Sequence, residues 1–62
     1  MKYLVASVAK YHRPGYIFSH HTSKKQAKIK AKRMAKKHKN KFSVGIFGYT
    51  KDKYYGLLNS YD

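Results

Sequence analysis

Cysteine is absent from the chain, which excludes a disulfide framework and any thiolate zinc site and leaves the redox compartment unconstrained. Acidic side chains are almost absent as well. Asp52 and Asp62 are the only two among 62 residues, one in a turn-like stretch and one at the C-terminus. Chemistry that needs paired carboxylates is therefore excluded in practice. No stretch approaches the roughly 20 consecutive apolar residues of a membrane-spanning helix. After Met1-Lys2, the apolar run Tyr3-Leu4-Val5-Ala6-Ser7-Val8-Ala9 has the outline of a secretory signal, with Ser7 and Ala9 at cleavage-like positions. It is too short and too interrupted for a signal-peptide core, so the expected location is the cytoplasm.

What the chain does have is charge of one sign. Lys and Arg number 15 and the formal net charge is +13. Hydrophobic residues still make up 42% and seven residues are Tyr, which argues for a folded module rather than a disordered tail. We expect a single domain over residues 1–62. At this size folding buries only about 60% of the unfolded chain's surface, which leaves little room for an enclosed substrate cavity.

The charge is concentrated. Between Lys24 and Lys41 lie ten of the fifteen cationic side chains and no acid. Placed on a helix, Lys24–Lys28, Lys28–Lys32, Lys32–Lys36 and Arg33–Lys37 are repulsive i,i+4 pairs. Lys25–Lys28, Lys30–Arg33, Arg33–Lys36 and Lys36–Lys39 are i,i+3 pairs. Together they cost on the order of 2–4 kcal/mol before salt screening. That is comparable with the net stability of about 3–5 kcal/mol that a core of this size supplies. Lys24 and Lys25 also stand at the helix start, where the macrodipole favours anions. A bound polyanion relieves both penalties.

The pattern predicts an α+β fold in ββαββ order, with one basic helix packed on a mainly antiparallel four-stranded sheet. Over Tyr3–Tyr11, alternation separates Leu4, Ala6 and Val8 from Tyr3, Val5, Ser7, Ala9 and Tyr11. His12-Arg13-Pro14-Gly15 reads as a turn, and Tyr16–His20 as the returning strand. Ser23 and Gln26 have capping-box spacing, which starts the helix at Lys24. At 100° per residue Ala27, Ala31, Met34 and His38 form a sheet-facing stripe with Ala35 at its edge, while Ile29 points away among Lys25, Lys32, Arg33 and Lys36. Asn40 is the expected helix end, in a left-handed cap. Phe42–Tyr49 and Tyr54–Asn59 follow as strands, joined through Thr50-Lys51-Asp52-Lys53. Gly45, Gly48 and Gly56 mark bulges or close backbone approach.

One helix covers one face of such a sheet, so the other is expected to be solvated, paired with another copy, or used. Tyr3, Tyr11, Tyr49, Tyr55 and Tyr61 compete for it, as strand filling, a base-stacking platform or a dimer interface. Alternation does not settle which of them share that face.

A nucleic-acid backbone suits the acid-free run, because each phosphate neutralised releases counterions and tolerates loose registry. The expected phosphate contacts are Lys24, Lys25, Lys28, Lys32, Arg33 and Lys36, with Arg13 and Tyr side chains secondary. The preponderance of Lys over Arg favours phosphate contact over bidentate reading of guanine, hence weak sequence specificity for DNA or RNA. The run Ser23-Lys24-Lys25-Gln26-Ala27-Lys28, with Ala31 and Ala35, resembles the final helix of double-stranded-RNA-binding domains. That resemblance implies phosphate contacts at Lys24, Lys25 and Lys28. It is confined to this helix, and the order of elements departs from that family, which begins with another helix and places three strands before this one.

Two other readings compete. Ile29, an apolar side chain ringed by cations, fits a protein-binding module or inhibitor docking on an acidic protein surface. A His-dependent endoribonuclease would use His20 or His21 with Lys and Tyr neighbours, since RNA supplies its own 2′-hydroxyl nucleophile. Adjacent residues on a strand point to opposite faces, so His20 and His21 are not expected to share a metal. His38 is expected to pack at the helix end, and His12 lies in the turn. The sequence implies no cofactor and no membrane, and unpaired sheet edges allow a monomer or a homodimer.

Overall fold

The computed structural model describes residues 1–61. Strand β1 (Lys2–Ala9) runs through a short turn (Lys10–His12) into β2 (Arg13–His21), helix α1 (Lys24–Lys37) follows, and β3 (Val44–Tyr49) and β4 (Tyr54–Tyr61) close the chain. The sheet is antiparallel in the order β2-β1-β3-β4. The architecture is the expected α+β fold, with the two most apolar strands inside and the more polar ones at the edges.

Helix α1 starts where the capping residues put it. The Gln26 N–H donates to Ser23 Oγ at 3.4 Å and the Ala27 N–H to the Ser23 carbonyl at 3.1 Å. Ala27, Ala31 and Ala35 are buried against Val5, Val44 and Ile46. Ala35 therefore lies within the stripe rather than at its edge, while Met34 and His38 are only half-buried. With nothing larger than methyl groups along that line, the helix backbone can lie close to the sheet.

The helix ends at Lys37, earlier than expected, and Asn40 does not take the left-handed conformation predicted for it. Tertiary packing closes this end instead. The His38 ring stacks on Phe42 at 4.8 Å and on Phe18 at 5.5 Å between centroids, and the Lys41 and Phe42 amides turn back onto the His38 carbonyl. Phe42 thus belongs to the loop, and β3 begins at Val44. Of the repulsive pair Lys36–Lys39, Lys39 consequently falls outside the helix. At the other end of β3 the Thr50–Lys53 connection forms as expected, with the Thr50 N–H donating to the Lys53 carbonyl at 2.7 Å. Strand β4 then continues to Tyr61 rather than stopping at Asn59.

The first hairpin differs most from expectation. Pro14 and Gly15 lie inside β2, and the chain reverses earlier, at Lys10–His12. Pro14 is tolerated because β2 is an edge strand, where a missing N–H breaks no ladder. Gly15 is needed for space, since a Cβ there would sit 2.7 Å from Ser7 Oγ, the atom that accepts the Tyr16 N–H at 2.6 Å. The reversal uses Tyr11 at φ 64° and His12 at φ 57°, the only non-glycine residues with positive φ among those described. For L-residues that conformation costs about 1–2 kcal/mol each.

The centre of the sheet face away from α1 is closed, while Ile17, His20 and Tyr54, the cross-strand partners of Ala6, Leu4 and Tyr49, stay exposed at its margins. Phe47 is 0% exposed there and Ala6 is equally buried, packed with Leu4, Val8, Tyr49 and Leu57. The covering comes from the strands themselves. Register shifts in the β1–β2 and β3–β4 pairings mark bulges, which bend the strand and increase its local twist. Gly45 completes the arrangement. A Cβ on it would lie 2.5 Å from Leu57 Cδ1 and 2.8 Å from Val8 Cγ2, so its hydrogen leaves the space in which those two side chains close over the face.

Candidate nucleic-acid interface

With its alanine stripe on the sheet, α1 turns its remaining circumference outward. Lys24, Lys25, Lys28, Lys32, Arg33 and Lys36 are all exposed. They occupy a rigid scaffold 14 residues long, which spans about 21 Å at the α-helical rise. Ile29 is 47% exposed in their midst, as its helical position requires. Lys37, Lys39 and Lys41 are exposed too and extend the cationic surface past the helix end, whereas Lys30 is half-buried. Arg13 is exposed but stands apart from the helix, paired with Ala9 at the root of the first hairpin.

The tyrosines do not gather into a platform. Tyr3 and Tyr61 pack on the helix side, Tyr49 lies on the opposite face, and Tyr11 projects from the turn. Tyr55, on edge strand β4, holds the Lys53 ammonium 4.9 Å from its ring centroid. A shared stacking surface of these five residues is therefore not assembled. Another aromatic grouping forms instead, where Tyr16 and Phe18 of β2 meet His38 and Phe42 beyond α1. With Met34, Lys37 and Lys41 these four line a groove of about 360 Å³. Its two halves are far apart in the chain, so periodicity within either gives no sign of it. His38 is the exception, since its place at the helix end was legible.

The histidines have separate partners. His20 Nδ1 lies 3.0 Å from Tyr49 Oη, and His21 Nε2 lies 2.7 Å from Ser19 Oγ. Lys2, Thr22, Ser23 and Gln26 join His20, His21 and Tyr49 around a cleft of about 490 Å³ at the start of α1. Each imidazole thus faces a hydroxyl, and both line one cleft with Lys2 and Tyr49 as their Lys and Tyr neighbours. Among the described residues no group of three metal-ligating side chains comes together. No helix among them is long and apolar enough to cross a membrane. No protein-family model, curated protein or solved structure matches this chain.

Proposed function

We propose that this protein binds nucleic acid, DNA or RNA, with weak sequence specificity, through the outer surface of α1, as a cytoplasmic monomer or homodimer. The observation that carries the reading is the exposure of Lys24, Lys25, Lys28, Lys32, Arg33 and Lys36 on one acid-free helix. A helix laced with glutamate would neutralise itself, but this one leaves its whole field for a ligand. Titration against duplex DNA, duplex RNA and single strands over a salt series tests it. With four to six phosphates neutralised, the log–log slope for B-DNA is about −4 to −5. Absence of binding at low salt would remove the proposal.

The exposure of Ile29 favours a second reading, in which the same surface docks on an acidic protein around one apolar anchor. Under that reading Ile29→Glu abolishes a specific protein interaction while nucleic-acid affinity falls only as far as one added negative charge requires. Parallel loss of both interactions would point to plain electrostatics and discard the anchor.

A further inference from the structure

The turn joining β1 to β2 is where sequence and backbone disagree most. Positive φ at two successive residues is the requirement of a mirror-image hairpin turn, which Asn-Gly or Asp-Gly normally meets. Here the positions are held by Tyr11 and His12, at φ 64° and 57°. Neither residue returns anything to the core, for none of Lys10–His12 is buried and Tyr11 is 82% exposed. Its ring lies 5.3 Å from the Lys10 ammonium, and Arg13 follows directly. A strained, exposed aromatic flanked by cations is a local conflict of the kind that accumulates at functional sites.

The tip also lies at the end of the sheet toward which the basic surface extends. Strand β1 runs from Lys2, paired with Tyr49, to Ser7, paired with Val44, and then continues toward the tip. Helix α1 runs toward the same end, since its last turn leads into His38 and Phe42 beside Phe18. Lys37, Lys41 and Tyr16 line the groove at that end, so cations extend from the helix in the direction of the hairpin.

From these observations we infer that the Lys10–Arg13 tip is a second nucleic-acid contact, in which Tyr11 stacks on an unpaired base while Lys10 and Arg13 meet the flanking phosphates. The inference rests on the proposed function of α1 and narrows its ligand to a single strand, or to a strand with unpaired nucleotides next to the segment the helix holds. Stacking on a tyrosine ring accepts any base, in keeping with weak sequence preference.

The test uses Tyr11→Asn combined with His12→Gly, which supplies the residues this turn favours and leaves every Lys, Arg and Asp in place. The double variant melts about 4 °C or more above the wild type. Its affinity for a labelled 15-nucleotide oligo-dT or oligo-U falls about fivefold or more, while affinity for a blunt duplex of the same length moves less than about twofold. Unchanged single-strand affinity overturns the tip contact while leaving the α1 proposal intact. Equal losses on both ligands overturn base stacking. A wild type that binds neither ligand removes the α1 reading and this one with it. Tyr11→Trp gives a readout independent of the turn change, because the chain has no other tryptophan. Oligo-dT quenches its emission if the ring stacks, and unquenched emission in the bound complex overturns the proposal.

Discussion

Replacing Lys25, Lys28, Lys32 and Lys36 together by Gln lowers affinity for nucleic acid roughly a thousandfold at 0.1 M salt, and reduces the salt slope on B-DNA by about 3–4. The same change stabilises the unliganded protein. It removes the repulsive pairs Lys24–Lys28, Lys28–Lys32, Lys32–Lys36, Lys25–Lys28 and Arg33–Lys36, all inside α1. At about 0.2–0.5 kcal/mol per pair this amounts to roughly 1–2.5 kcal/mol at low salt. Gln and Lys have nearly equal helix propensity, so the gain reports charge rather than backbone preference. For a domain this small, melting rises by about 5 °C or more. The opposite signs carry the argument, because a surface that served only for solubility would show the stability gain without the affinity loss. Melting curves with and without heparin or an oligonucleotide check both. Wild-type melting should rise with the polyanion, as binding to the folded state demands, and the neutralised variant should respond much less. A wild type indifferent to every polyanion would return the lysine run to a solvated surface.

The elements that were legible in the sequence are those specified over a few residues. Ser23 and Gln26 announced the helix start, and the spacing of Ala27 and Ala31 announced its buried side, because both depend on local geometry alone. The outward position of Ile29 followed from the same 100° rule. What the sequence concealed was settled between distant segments. Pro14-Gly15 is a stronger turn signal than Tyr11-His12, yet Pro14 fits within β2 because that strand lies at the edge, a fact of sheet order. Asn40 lost its capping role to a ring stack of His38 with Phe18 and Phe42, and Phe18 comes from another strand. Among the candidate contacts, the exposure of the helix cations was readable, whereas the groove beside Lys37 and Lys41 required Tyr16 and Phe42 to meet across the fold. Alternation separated Leu4 and Ala6 from Val5, but with apolar groups on both faces it did not say which side the helix would cover; the alanine stripe took the Val5 side.

Phe47→Ala abolishes the cooperative thermal transition of the unliganded protein. Truncating a buried Phe costs about 3–5 kcal/mol, against a net stability of about 3–5 kcal/mol for a domain of this size. Phe47 is fully buried although no helix lies over it. The groups that cover it, Val8, Tyr49 and Leu57, are only half-buried themselves. With so thin a cover, loss of the ring opens the face to water instead of leaving a sealed cavity. On the helix side, Val5 and Ile46 stay pressed against the alanine stripe, and an exposed face alone does not hold a four-stranded sheet together. Circular dichroism through a temperature ramp gives the measurement, with Phe47→Leu as a control that keeps most of the volume and lowers melting by a smaller step. Binding extends the test to function. If α1 holds a polyanion only when packed on the sheet, saturating heparin restores a cooperative transition to Phe47→Ala, at about 2.7 kcal/mol for a ligand at a hundred times its dissociation constant. A Phe47→Ala protein melting within a few degrees of the wild type would show that the helix-free face contributes little to the fold, and that the alanine stripe alone supports the basic surface.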